Sequence, residues 1–258
     1  MKEQFKNFKR YSFLLEELVK KGIKLKYRRS YLGILWSMLE PLLYMIVLTI
    51  VFGTLLGHNE KEFPVYILSG RLLYSFFNSS TTACLKSIRV NASRIKKVYV
   101  PKYIYPMSSV LINFVTFMLS LPVLVIVALV LGVYPSWNLV YCLIAMIDLL
   151  ILTYGLGMIL STVGVFFRDM EYIWSVGTVM IMYTCAIFYK PERILDSKMS
   201  FILECNPLYC VIDNFRSGIF GTAINWNYMI YSFVFGIISL IFGLYIFKKN
   251  QDKFILNI

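Results

Sequence analysis

An all-α integral membrane protein is the fold class this sequence predicts, and three observations carry the prediction. The 258 residues are 59% hydrophobic at a mean hydropathy of +0.68, well above the roughly half-apolar composition of soluble domains. Five long apolar runs and one shorter run stand between polar breaks. Each approaches or exceeds the roughly twenty residues that a helix rising 1.5 Å per residue needs to cross about 30 Å of hydrocarbon. Lysine and arginine are also spread unevenly over the breaks, as expected where basic loops stay on one side during insertion.

Six transmembrane helices follow, at residues 31–56, 63–88, 104–133, 139–167, 172–189 and 228–247. The first thirty residues hold ten Lys or Arg. The break between the second and third spans holds six (Lys86, Arg89, Arg94, Lys96, Lys97 and Lys102) with no acidic residue. The next break on that side holds Arg168, and the tail holds Lys248, Lys249 and Lys253. The opposite side has Lys61, Lys190, Arg193, Lys198 and Arg216. Both termini are therefore expected in the cytosol. The N-terminal segment lacks a compact apolar stretch ending in small residues, so it reads as retained rather than as a signal peptide. The net charge of +12 is accounted for by orientation signals and anionic headgroups, not by nucleic acid.

Before the first span, residues 5–26 place Phe8, Tyr11, Leu14, Leu15, Leu18 and Val19 on one helical stripe amid lysines. This predicts an amphipathic helix lying on the inner leaflet, the alternative being an ordinary packed helix. Residues 190–227 are too long for a turn and carry apolar pieces around Asn206 and Pro207. A re-entrant helical hairpin fits, with Pro207 in a first helical turn, the alternative being a surface cap. No repeat or linker divides the chain, so residues 1–258 form one domain: an interfacial segment (1–30), the six-span bundle (31–247) and a cytosolic tail (248–258).

The sequence argues against catalysis by this chain. No glycine precedes a lysine, so the phosphate-cradling G-x-x-x-x-G-K-[ST] loop is missing and ATP hydrolysis falls to a partner. G-x-S-x-G and H-E-x-x-H are also missing. One histidine, His58, and five cysteines without C-x-x-C spacing give no metal site. Cys205 and Cys210 share an expected outer loop, but five apart on a helix they would sit too far apart to bridge, which favours two isolated thiols.

Three ionisable residues, Glu40, Arg71 and Asp148, fall inside spans, roughly 12 to 17 Å along their helices from the nearer end. A charge facing lipid costs about 2.5 to 3.5 kcal/mol on insertion scales, so these residues should face protein or water, with Arg71 paired to Glu40 or Asp148. Arg71, Ser75, Asn78, Ser79, Thr82 and Lys86 draw a polar stripe down the second span, and Gly33, Trp36, Glu40 and Tyr44 share a face of the first. Such faces suit a wet path on which sugar rings stack, or else plain packing and interfacial anchoring. With Tyr74, the residues Trp36, Glu40, Tyr44, Arg71, Ser75, Asn78, Thr82 and Asp148 form the expected substrate path. Gly157, Ser161 and Gly164 on the fourth span are read as a close-packing face.

The segment 27–41, YRRSYLGILWSMLEP, resembles the start of the permease subunits of bacterial ABC exporters for O-antigen, capsule and teichoic-acid polymers, through Tyr27, Arg28, Ser30, Leu32, Gly33, Trp36 and Pro41. NASRIKKVYVPKYIYP (91–106) is similar to that family's coupling segment, FFRD (166–169) to the inner end of its fourth span, and NPLYCVIDNFRSGIFG (206–221) to its outer re-entrant region. Glu40 and Arg71 depart from it in carrying charge. The resemblance implies a bacterial cytoplasmic-membrane protein, two copies of which pair with two ATP-binding subunits that use ATP and Mg, while this chain binds no cofactor. It implies that Asn91, Ala92, Ser93, Arg94, Ile95, Lys96 and Lys97 form the docking helix, and that a lipid-linked glycan is the cargo. Arg28 and Arg29, at the membrane boundary, would attract the carrier's pyrophosphate or serve only as orientation signals. A drug or small-lipid exporter of the same class is the nearest alternative, and a self-contained channel or ion-coupled carrier using Glu40, Arg71 and Asp148 is a more distant one.

Overall fold

The structure, a computed structural model, describes residues 2–28, 30–56, 60–97, 100–134, 136–195 and 200–257. The described residues are helical, without strands. The long elements are α1 (Lys2–Tyr27), α2 (Trp36–Leu56), α3 (Phe63–Val90), α5 (Ile104–Val130), α6 (Leu139–Phe166), α7 (Met170–Thr184), α10 (Pro207–Phe220) and α11 (Trp226–Asn250). Short helices α4 (Ala92–Lys97), α8 (Glu192–Leu195), α9 (Ser200–Glu204) and α12 (Phe254–Asn257) join or end them.

Among the described residues, four helices are long and apolar enough to cross a membrane: Gly33–Gly53, Ile104–Val130, Leu139–Phe166 and Trp226–Leu256. The other two expected spans differ for separate reasons. Helix α3 has the length, at 28 residues, but Arg71, Lys86, Arg89 and a run of hydroxyls lower its hydropathy. Helix α7 has only 15 residues, about 22 Å of rise. It stops at Thr184, where the expected span ran on to Tyr189. There the chain reverses through Ala186, a non-glycine residue at φ 47°, and Cys185, Ala186, Ile187 and Phe188 are all buried.

The core lies where α3, α5, α6 and α10 meet. Val65, Leu68, Leu73, Cys84, Leu149, Leu152, Val211 and Ile212 are each no more than 1% exposed there. The small face of α6 packs as expected: a Cβ on Gly157 would meet Cys84 Sγ at 2.8 Å, and one on Gly164 would run into the Leu85 carbonyl. Close backbone approach of this kind is the usual role of small residues between membrane helices.

Helix α10 is the buried part of the region expected to be re-entrant. Pro207 occupies its first turn and the Asn206 side chain accepts from the Leu208 and Tyr209 amides, supplying partners to free N–H groups. Gly221, at φ 69°, ends it in the left-handed conformation that glycine tolerates. Ten of its residues are buried, including Arg216, which the charge pattern had placed in an outer loop. Cys205 and Cys210 are both free thiols. Helix α1 packs one side on α5, with Leu15 buried and Gly22 against Ile112, while Phe13 is exposed.

Candidate functional site

A cavity of about 280 Å³ opens between the end of α1 and helices α2, α3 and α5. Helical spacing builds its walls: Ser37, Glu40 and Tyr44 come from α2, Arg71, Ser75 and Ser79 from α3, and Asn113, Thr116 and Ser120 from α5. Lys26 and Tyr27 add a cation and a phenol. Desolvation lowers the pKa of Lys26, and the Glu40 carboxylate opposes that shift. The Ser120 hydroxyl donates to the Ser37 carbonyl at 2.7 Å and ties α5 to α2. With two cations, one carboxylate and several hydroxyls, the cavity can bind a polar or anionic group.

The expected ion pair is not formed. Arg71 and Glu40 share the cavity, yet no salt bridge joins them among the described residues. The Arg71 guanidinium instead lies 4.7 Å from the Tyr44 ring centre and 5.8 Å from that of Tyr74, and its Nη1 approaches Met182 Sδ at 3.8 Å. Ring quadrupoles stabilise the cation where the sequence led us to expect a carboxylate. Asp148 is elsewhere, 2% exposed in the core, accepting a 2.5 Å hydrogen bond from the Ser232 hydroxyl of α11.

The polar stripe on α3 divides among three environments. Arg71, Ser75 and Ser79 line the cavity. The Thr82 hydroxyl donates to Asn78 Oδ1 at 3.5 Å, and Lys86 reaches Glu171 at the start of α7. Tyr74 is buried and donates to the Thr178 carbonyl. Trp36 is exposed outside the cavity. Arg28 is exposed beside Leu25, Lys26 and Ser30, and Arg29 lies outside the described residues. The sequence reading missed Lys26, Tyr27, Ser37, Asn113, Thr116 and Ser120. The 3-then-4 spacing of Asn113, Thr116 and Ser120 within an apolar run was the available signal.

The basic break forms a second constellation at one end of the bundle. Asn91 alone separates α3 from α4. Its amide Nδ2 donates to the Ser87 carbonyl at 2.8 Å, and its Oδ1 accepts from Arg94 Nη1 at 2.8 Å. Ile95 is the buried residue of α4, whereas Ser93, Arg94, Lys96 and Lys97 are exposed. Beside this joint, Glu171 pairs with Lys86 at 3.0 Å and with Arg89. At the far end, Arg216 donates to the Ala186 and Tyr66 carbonyls at 3.0 and 3.1 Å and covers the Tyr66 ring, pinning the reversal after α7.

A helical bundle with long apolar helices, a polar cavity between them and a basic helix at one end has the build of a membrane permease. Residues 14–220 match the family model described as ABC-2 type transporter, and the chain belongs to that family. It is 32% identical over 242 residues to the O-antigen export system permease protein RfbA of Klebsiella pneumoniae, covering 93% of each chain. Its identity to the protein of the same name from Myxococcus xanthus is 30%, over 80% of each chain. The polysialic acid transport protein KpsM of Escherichia coli is 22% identical over 92% of this chain and 93% of its own.

Proposed function

We propose that this chain is the membrane subunit of an ATP-driven exporter that moves a lipid-linked polysaccharide across the bacterial cytoplasmic membrane. The observation that carries the reading is its similarity, over 93% of both chains, to a permease named for O-antigen export. Two copies span the membrane and two ATP-binding subunits bind ATP and Mg. Residues 91–97 dock on those subunits, and this chain supplies the path. The exposed cations of α4 support the docking role, since a basic helix fits an acidic groove.

In this reading α3 and α7 complete six spans with both termini in the cytosol. The charges of α3 are compatible with a span because Arg71 lies over tyrosine rings and Lys86 and Arg89 share Glu171. The short α7 is continued by the buried reversal, and irregular backbone is tolerated at membrane depth inside protein. Tyr44, Arg71 and Ser75 give the path its aromatic and polar contacts, with Arg28 at its entrance. The test is reconstitution with the ATP-binding subunit in liposomes: a lipid-linked glycan should stimulate ATP turnover and reach the far side. Stimulation by small apolar drugs, with no glycan movement, would favour the drug-exporter reading. Orientation is checked by impermeant thiol labelling of Ser93→Cys in a background lacking the exposed Cys205, where labelling from outside the cell would reverse the topology.

A further inference from the structure

We propose that the C-terminal segment 251–257 and α4 form one composite docking surface for the ATP-binding subunit, with Phe254 as the key that joins them. The inference rests on the docking role given to α4 above and extends that surface to residues 251–257.

Phe254 is 0% exposed. Its ring centre is 5.1 Å from that of Phe247 on α11 and 5.9 Å from that of Phe166 at the end of α6. The same small core contains Ile88, Tyr105, Met158 and Val165, and also Ile95, the buried residue of α4. The tail and the docking helix are thus seated in one socket. A polar tie reinforces it: Lys102, just beyond α4, donates to the Gln251 carbonyl at 2.5 Å, and its ammonium lies 6.0 Å from the Phe254 ring centre.

The outward side of this socket is apolar. Ile255 is 48% and Leu256 85% exposed, on the helix that packs directly against α4. Exposed Arg94, Lys96 and Lys97 lie on α4, and exposed Asp252 and Lys253 precede Phe254 in the tail, so that cations outnumber carboxylates four to one. An apolar centre with a cationic rim is the pattern of a protein interface whose partner offers an apolar hollow edged with carboxylates. The ATP-binding subunit is the occupant this favours, because the apolar pair is continuous with the helix expected to dock on it. An anionic lipid surface is the competing occupant.

The experiment uses the full chain in nanodiscs, titrated with its ATP-binding subunit, in neutral and in anionic lipid. Leu256→Asp changes an exposed side chain and leaves Phe254 in place. It should weaken association about tenfold in both lipids, the loss expected for a contributing interface residue. Phe254→Ala should do the same by unseating α4. Arg94→Glu with Lys97→Glu serves as the reference. If the reference variant weakens association while Leu256→Asp does not, the composite surface is wrong and α4 docks alone. If Leu256→Asp acts only in anionic lipid, the tail belongs to the bilayer and the inference is overturned. If neither variant weakens association, the docking role of α4 itself fails.

Discussion

Helices α2 and α10 are both rich in apolar residues, yet they meet opposite surroundings. On α10, ten of 14 residues are buried, enclosed by α3, α6 and α11. On α2, Ser37 is the buried residue among those described, and Leu43, Ile46, Val47 and Val51 are 40% to 56% exposed. Helix α7 resembles α2, with Tyr172, Ile173, Val176 and Met180 each more than 60% exposed. Hydropathy shows that a segment avoids water, but not whether protein or lipid takes water's place. The inward faces of α3, α6 and α10 are filled within one chain, whereas α2 and α7 leave broad apolar faces open.

Mutations can break this contrast from the inside first. Arg216→Ala removes two charge-assisted hydrogen bonds, to the Ala186 and Tyr66 carbonyls, and at about 2 kcal/mol each should cost about 4 kcal/mol, although the Tyr66 and Ser69 hydroxyls still donate to those carbonyls. Denaturant titration in mixed micelles would read this, and an unchanged midpoint would mean that the clamp holds nothing. Leu152→Ala, at a fully buried position, should cost about 3 kcal/mol through its cavity, with the same readout. Glu171→Gln unties α7 from a half-exposed pair of cations, and a stability loss of about 1 kcal/mol is expected. Its larger signature should be weaker coupling of ATP turnover to transport, so tight coupling in this variant would remove α7 from the drive train. Val47→Ala, on the open face of α2, should change the stability of the single chain by less than about 0.5 kcal/mol. A loss comparable to that of Leu152→Ala would show that this face is packed after all.

Much of the fold was legible because charge and hydropathy act on whole segments. The starts of α3, α5 and α6 fall at Phe63, Ile104 and Leu139, the residues at which the apolar runs begin. The end of α7 was not legible. No glycine or proline marks the turn at Ala186, and its conformation is held by Tyr66, which donates to the Ala186 and Tyr189 carbonyls, and by Arg216. Those partners lie far away in sequence. The cavity was half legible: Glu40, Tyr44, Arg71 and Ser75 were read from spacing on α2 and α3. The α5 wall was overlooked within an apolar run, where Asn113 and Thr116 bond to carbonyls of their own helix. The Arg71 partner was misjudged because opposite charge is visible in a sequence, whereas the approach of two tyrosine rings is a matter of packing.

Helix α7 is laced to α3 at four heights: Glu171 to Lys86 and Arg89, Trp174 Nε1 to Thr81 Oγ1, the Thr178 carbonyl to Tyr74, and Met182 to Arg71. Two rails joined by four rungs resist sliding, because any longitudinal slip strains every rung at once. Asn91, whose side chain bonds back to Ser87 on α3 and forward to Arg94 on α4, joins the basic helix to the foot of the same ladder.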